Sequence, residues 1–259
     1  MNTADVASSD VILDVSGLAH SFDGVRAVDS VSFGVARGSI LGVIGPNGAG
    51  KSTVIDVISG MLRLQHGTVR FEGHDIGGWA PHRIANRGLI RTFQVSTGFA
   101  RLTALENLLV VTQRDGLGGF ATWLFKPGAI GAWEASATDD AMAALEEFGL
   151  AKQWRSYAEE LSGGQKRLLE LARAMMLHPT CLLLDEPTAG VSPVVIEELI
   201  ERIKSLRERG ITIVIVEHNL DVVERLCDDV VVLAEGRVLA RGGMAQVRQI
   251  REVVDAYLG

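Results

Sequence analysis

The sequence predicts an α/β fold: a largely parallel sheet flanked by helices, with a separate helical lobe inserted in the middle of the chain. Three observations predict it. Strand-length apolar runs alternate with amphipathic helical stretches, which is the order of a helix-flanked parallel sheet. Three of those runs end abruptly in glycine-rich or acidic segments, at Gly45, Asp185 and Glu217. Between about residues 95 and 157 the rhythm breaks into helix-like sequence around a Gly- and aromatic-rich patch, GLGGFATWLFKPGAIGAW (Gly116 to Trp133).

Taken in order, the apolar runs are Val11 to Val15, Ala27 to Phe33, Ile40 to Ile44, Thr68 to Phe71, Cys181 to Leu184, Ile211 to Val216 and Val230 to Leu233. Their alternation or continuous β-branched character predicts strands. Helical periodicity predicts helices over Lys51 to Leu62, about Ala135 to Phe148, Gly164 to Leu177, Pro193 to Arg209 and Leu220 to Cys227. No fixed-period repeat or low-complexity tract interrupts this order. The lobe rejoins the main sheet near Pro179.

A chain of 259 residues, 47% hydrophobic and 22% charged, is long enough for one sizeable core, or for a core with a smaller appended lobe. Its formal charge of −7 offers no basic field for a polynucleotide backbone, so nucleic acid is not an expected partner. The two cysteines, Cys181 and Cys227, lie in no CxxC or His-rich spacing, which fits a reducing, cytoplasmic compartment. The opening MNTADVASSD lacks the pattern of a signal peptide, and no window approaches the ~20 apolar residues of a membrane span. The expectation is a protein soluble alone, which needs a partner for any membrane role.

The run Ile40 to Ile44 feeds Gly45-Pro46-Asn47-Gly48-Ala49-Gly50-Lys51-Ser52 and then an amphipathic helix. Glycines let backbone N–H groups converge on phosphate oxygens, and the helix N-terminus adds a favourable dipole. In this pattern Lys51 reaches the β and γ phosphates and Ser52 ligates Mg²⁺. A turn that only joined strand to helix would have no need of the lysine.

Cys181-Leu182-Leu183-Leu184-Asp185-Glu186 is an apolar strand ending in two carboxylates. Asp185 suits a Mg²⁺ beside the phosphates, while Glu186 suits a general base that polarises the attacking water. A second apolar strand ends in Glu217-His218, where the histidine could hydrogen-bond the γ-phosphate. Alone, a histidine after a strand is more often capped or packed; the surrounding set favours the phosphate role. Leu161-Ser162-Gly163-Gly164-Gln165 opens another amphipathic helix. With Ser162 at the N-cap and two glycines exposing N–H groups, it makes a second anion receptor. Without the phosphate loop it would read as an ordinary Ser-capped helix.

With GPNGAGKS, LSGGQ, LLLDEPTAG and His218 in that order, the chain resembles the nucleotide-binding subunit of ABC transporters over almost its whole length. The resemblance implies a RecA-like P-loop NTPase core with an N-terminal antiparallel β portion, over residues 1–94 and 179–259. It implies an inserted α-helical subdomain, 95–178, that holds the LSGGQ. It also implies ATP and Mg²⁺ as cofactors, with Gly45, Pro46, Asn47, Gly48, Ala49, Gly50, Lys51, Ser52 and Thr53 on the phosphates. Phe22 stands where the family stacks an aromatic on adenine, although tyrosine is usual there. Gln94, in LIRTFQ, stands at the position that contacts Mg²⁺ and the attacking water. Ser52, Gln94 and Asp185 would share the metal; Glu186, His218, Gln94 and Lys51 would carry the chemistry. Ser162, Gly163, Gly164 and Gln165 would close on the ATP of a second subunit in a head-to-tail dimer.

The resemblance also implies that the segment after Gln94 docks on the coupling helix of a transmembrane permease subunit, which makes Val95, Phe99 and Leu102 candidate contacts. Ser192 replaces the aspartate common in the loop after DEPT, so communication between the two ATP sites through that loop is expected to differ, with hydrolysis retained. RTFQ, LTALENLLV, the 116–133 insertion and the terminal DAYLG are similar to the ATPase subunits of branched-chain (hydrophobic) amino-acid importers, and urea importers share much of the pattern. Such a subunit sits peripherally on the cytoplasmic face of the plasma membrane and serves a solute-binding protein indirectly. Trp123 and Trp133 either touch the membrane subunit or bilayer or pack within a helical hairpin. The rival readings are an exporter of lipopolysaccharide type, a soluble ABC-type ATPase of DNA repair or translation, and a small-molecule kinase. The repair type carries long coiled-coil insertions, the translation type has two ATP-binding halves, and the kinase lacks LSGGQ.

Overall fold

The computed structural model describes residues 10–92, 99–112 and 127–258, with the side chains of 127–131 and 258 left out. The chain divides into two compact units: residues 1–94, 179–189 and 196–259, and residues 95–178 with 190–195.

Among the described residues the strands lie in the first unit: β1 (Val11–Phe22), β2 (Val25–Ala36), β3 (Ile40–Ile44), β4 (His66–Phe71), β5 (His74–Asp75), β6 (Leu89–Arg91), β7 (Cys181–Asp185), β8 (Thr212–Val216), β9 (Asp229–Ala234) and β10 (Arg237–Gly242). Its helices are α1 (Lys51–Ile58), α2 (Pro81–Ala85), most of α6 (Pro193–Glu208), α7 (Leu220–Leu226), α8 (Met244–Val247) and α9 (Arg251–Leu258). The second unit holds α3 (Ala104–Leu109), α4 (Pro127–Glu147) and α5 (Gly163–Met175).

An antiparallel sheet forms in the order β2-β1-β4-β5. Its first hairpin turns over Asp23 and Gly24, both at positive φ (45° and 84°), the turn whose twist matches the flanking strands. β1 runs to Phe22, well past the predicted end at Val15, because register shifts between Val15 and Ser21 take up the irregular stretch without ending the pairing to β2 and β4.

The main sheet has the order β10-β9-β3-β8-β7-β6, in which β9, β3, β8, β7 and β6 are parallel and only β10 is antiparallel. Every residue of β3, β7 and β8 is buried, as expected for strands covered on both faces. Each such Val, Leu or Ile contributes roughly 1.5–3 kcal/mol on burial. Register decides where the chemistry falls. Val43 pairs with Val216 and Val216 with Asp185, so the carboxyl ends of β3, β8 and β7 come level.

The predicted helix over Lys51 to Leu62 ends at Ile58. Ser59 Oγ folds back to Ile55 O at 2.8 Å, and Gly60 turns left-handed (φ 74°) where a Cβ would lie 2.5 Å from Trp79 O. α9, which contains the DAYL run, was not predicted; its Val253 and Tyr257 pack with Ile44, Val232 and Met244.

In the second unit, Leu108, Ala141, Leu145, Phe148, Leu168 and Leu171 are buried. Thr103 and Glu106 form a capping box at the start of α3. The buried Asn107 amide is shared among the carbonyls of Phe99, Leu102 and Thr103 at 3.0–3.1 Å. α4 begins at Pro127, earlier than the predicted Ala135. Among the described residues no helix is long and apolar enough to cross a membrane.

Candidate functional site

The loop that leaves β3 is shaped by backbone requirements. Gly45 (φ 149°) has no room for a side chain, since a Cβ there would lie 2.1 Å from Leu233 O. Gly50 (φ 94°) is the N-cap of α1, and a Cβ on it would lie 2.6 Å from Ala27 O. Gly48 and Asn47 are exposed, Pro46 and Thr53 half-buried, and Ala49 buried. Lys51 is buried, and its Nζ donates to Gly45 O and Pro46 O at 2.9 Å each. Burial pushes its pKa down, opposed by the negative charges of Glu186 and Asp185. The ammonium therefore closes the loop onto itself, while Ser52 beside it is exposed. A concave loop of N–H groups at a helix start, with a buried cation beneath it, is an anion receptor.

Asp185 ends β7 almost fully buried. Its Oδ2 accepts from Arg91 at 3.0 Å, and the same guanidinium donates to Asp56 Oδ1 at 2.5 Å and Ser59 Oγ at 3.1 Å. Asp185 Oδ1, equally buried, has no partner among the described residues. A buried carboxylate oxygen without a donor is costly unless a cation reaches it. With the exposed Ser52 hydroxyl on the first turn of α1, this all-oxygen donor set fits Mg²⁺.

Glu186 follows in a left-handed conformation (φ 48°), uncommon for a residue with a side chain and of the kind concentrated at functional sites. Its N–H still donates to Val216 O at 2.9 Å, extending the β7–β8 ladder by one residue. Its carboxylate is in direct contact with His218 Nε2. Between these two loops lies Glu217, 2% exposed. Its Oε1 accepts from Thr188 N (3.0 Å) and Thr188 Oγ1 (2.6 Å), and its Oε2 accepts from His218 N (3.1 Å) and Asn219 N (3.4 Å).

Phe22 ends β1, 44% exposed, its ring in a T-shaped arrangement with His20 at a centroid distance of 4.7 Å. In the second unit Ser162 caps α5: its Oγ accepts from Gln165 N at 3.2 Å, and Gln165 Oε1 accepts from Ser162 N at 3.0 Å. Gly163 faces open space, whereas a Cβ on Gly164 would lie 2.5 Å from Val195 Cγ2. Gln94 and Val95 lie outside the described residues, as does Trp123; Phe99 is exposed, Leu102 and Trp133 are half-buried, and Ser192 is exposed.

The structure thus brings together the 45–53 loop, Asp185, Glu186 and His218 at the carboxyl edge of three adjacent parallel strands, where ligands bind in open α/β sheets. Sequence reasoning assigned no task to Arg91, Asp56 or Glu217. For Arg91 and Glu217 the local signal is a charge at the end of an otherwise apolar strand; Asp56 sits within α1 with no such signal.

A family model described as "ABC transporter" matches residues 28–189. The chain is 41% identical over 251 residues to the probable branched-chain amino acid transport ATP-binding protein LivG of Archaeoglobus fulgidus, covering 96% of this chain and 95% of that protein. It is 40% identical over 249 residues to the high-affinity branched-chain amino acid transport ATP-binding protein BraF of Pseudomonas aeruginosa, covering 96% and 98%. A crystal structure of a nucleotide-free ATP-binding cassette from an ABC transporter superposes with a TM-score of 0.85 at 34% identity, covering 96% of this chain and 99% of that one. The ADP conformation of an ABC transporter cassette gives a TM-score of 0.82 at 33% identity, again covering 96% and 99%.

Proposed function

The chain belongs to the ABC transporter family of ATPases, and from that membership we propose that it powers the import of branched-chain amino acids across the cytoplasmic membrane. The observation that carries the ATPase reading is the convergence of the phosphate loop, Asp185, Glu186 and His218 on one sheet edge. The cargo reading rests on relatives 41% and 40% identical over nearly the full chain, both named for branched-chain amino acid transport.

Residues 1–94 and 179–259 serve as the nucleotide-binding core and 95–178 as the helical subdomain. The N–H groups of Gly45 to Thr53 hold the phosphates of ATP, and Lys51 exchanges its bonds to Gly45 O and Pro46 O for the β and γ oxygens. Phe22 stacks on adenine. Ser52, Asp185 and Gln94 would hold Mg²⁺, which would supply neutralisation of phosphate charge. Glu186 accepts the proton of the attacking water, and His218, in contact with Glu186, donates to the γ-phosphate. Ser162, Gly163, Gly164 and Gln165 complete the site of a second ATPase subunit in a head-to-tail dimer. Permease subunits at the cytoplasmic face receive the resulting motion, with Phe99 and Leu102 among the contacts, and a solute-binding protein delivers the cargo.

The test is reconstitution of the chain with its permease and solute-binding partners in vesicles. Leucine, isoleucine or valine should stimulate ATP hydrolysis and accumulate inside. Stimulation by none of the three, or hydrolysis driven by lipopolysaccharide instead, would overturn the import assignment.

A further inference from the structure

Two loops must hold their reactive groups in register for hydrolysis: the loop after β7 with Asp185 and Glu186, and the loop after β8 with His218. Backbone pairing fixes them only as far as the Glu186 N–H to Val216 O bond at 2.9 Å. Beyond it both chains leave the sheet; apart from the Glu186–His218 contact itself, the side chain of Glu217 spans them. One carboxylate oxygen takes two donors from the loop after β7, Thr188 N–H and O–H on Oε1, and the other takes two from the loop after β8, His218 N–H and Asn219 N–H on Oε2. Four acceptances from four donors suit a carboxylate; an amide in its place would turn an NH₂ group toward an N–H on one side.

We infer that Glu217 is a positioning residue, a buried strut that sets the distance between Glu186 and His218 by clamping Thr188 to the backbone of His218 and Asn219. The inference rests on the reading of Glu186 and His218 as the hydrolytic pair. Placement is consistent with this task. Thr188 is two residues beyond Glu186, and Glu217 is adjacent to His218, so each end of the strut is attached directly to a loop that carries one member of the pair. Thr188 and Glu217 are both buried. Their contribution to ATP turnover would be made through geometry alone, without contact with the nucleotide.

The experiment is steady-state ATP hydrolysis by the full chain, with the wild-type protein deciding first whether the function reading holds. If wild type does not hydrolyse ATP, that reading fails; if it does, the variants judge the strut. Thr188→Val deletes one donor at nearly constant shape, Thr188→Ser keeps it, and Glu217→Gln disturbs one end. A loosened reactive pair should lower kcat by about tenfold or more in Thr188→Val, since sub-ångström to ångström misplacement is felt steeply in turnover. KM for ATP should stay within about twofold, because no phosphate contact is altered, and Thr188→Ser should restore kcat. In the Glu217→Gln background, His218→Ala should cost less than it does alone, as two changes that break one unit are not additive.

Normal kcat in Thr188→Val, or a loss that Thr188→Ser does not restore, would overturn the proposal. So would a fall in kcat matched by an equal rise in KM and a lowered Tm, the pattern of general destabilisation. Should Glu217→Gln not fold, the Thr188 pair decides the matter without it.

Discussion

Arg91→Met removes the guanidinium that holds Asp185 Oδ2 at 3.0 Å and Asp56 Oδ1 at 2.5 Å. Arg91 and Asp185 side chains are only 11% and 4% exposed, so the pair is in effect buried, whereas Asp56 at 31% keeps some water. With Arg91 gone, both oxygens of Asp185 are left buried without a donor, because Oδ1 already has none among the described residues. Breaking a buried pair from one side costs about 3–5 kcal/mol. Asp185→Asn in the Arg91→Met background takes away the stranded charge, so the double variant should recover about 2 kcal/mol or more relative to the sum of the singles. The assay is urea unfolding of the nucleotide-free chain as a four-protein cycle, with near-UV and far-UV signals compared to check that a single transition is followed. For a chain of this size 3 kcal/mol corresponds to a fall in Tm of at least about 6 °C. Millimolar Mg²⁺ should return part of the loss in Arg91→Met and none in the double variant, since the cation would take the place of the lost one beside Asp185. A single-variant cost below about 1 kcal/mol, with additive effects in the cycle, would refute the reasoning.

Glu186→Gln keeps the contact surface of the loop and removes the base, so ATP binding should persist while turnover falls by about 10²–10⁴-fold, read by equilibrium nucleotide binding beside phosphate release. Gly164→Ala drives a Cβ to 2.5 Å from Val195 Cγ2 and 2.7 Å from Cγ1, which should destabilise the chain by about 1–3 kcal/mol in urea; adding Val195→Ala, which deletes those two atoms, should restore much of it. Burial pushes the Cys227 thiol up to about 12, first by desolvation and then by Asp228, Glu217 and Asp229. Because the folded thiol keeps its proton where the unfolded one loses it, stability should fall as pH rises above about 9, and a disulfide reagent at pH 8 should react far faster after unfolding. Cys227→Ser should reduce the alkaline fall without abolishing it, because burial pushes the Cys181 thiol up as well.

The phosphate loop and the Ser162 cap were legible in the sequence because their chemistry is local. In Gly45 to Ser52 the residues that shape the backbone are the residues that would meet the ligand, and Ser162 needs only Gln165, three positions on, to complete its capping box. The buried strands β3, β7 and β8 were legible for a related reason, since a strand covered on both faces must be apolar throughout. Short elements escaped. β6 has three residues and β5 two, too few for a period to show, and β10 alternates an exposed Arg237, Leu239 and Arg241 that read as loop.

Within the site, the same distinction separates the carboxylates. An acidic pair after an apolar run marks Asp185 and Glu186 in one dimension, and the run of motifs told which family to expect. Arg91 meets Asp185 across 94 positions of sequence, and Glu217 meets Thr188 across 29, so no window of sequence contains either pair. Sequence composition specified residue types at the ends of strands, and with them an α/β ATPase core and an inserted helical lobe. The sheet order and the level register of β3, β8 and β7 specified which of those ends share a site, because parallel pairing alone aligns Val43, Val216 and Asp185 at one edge. Folding then set a half-buried arginine and a buried glutamate against partners from elsewhere in the chain, since the cost of desolvating a charge is met only by such partners.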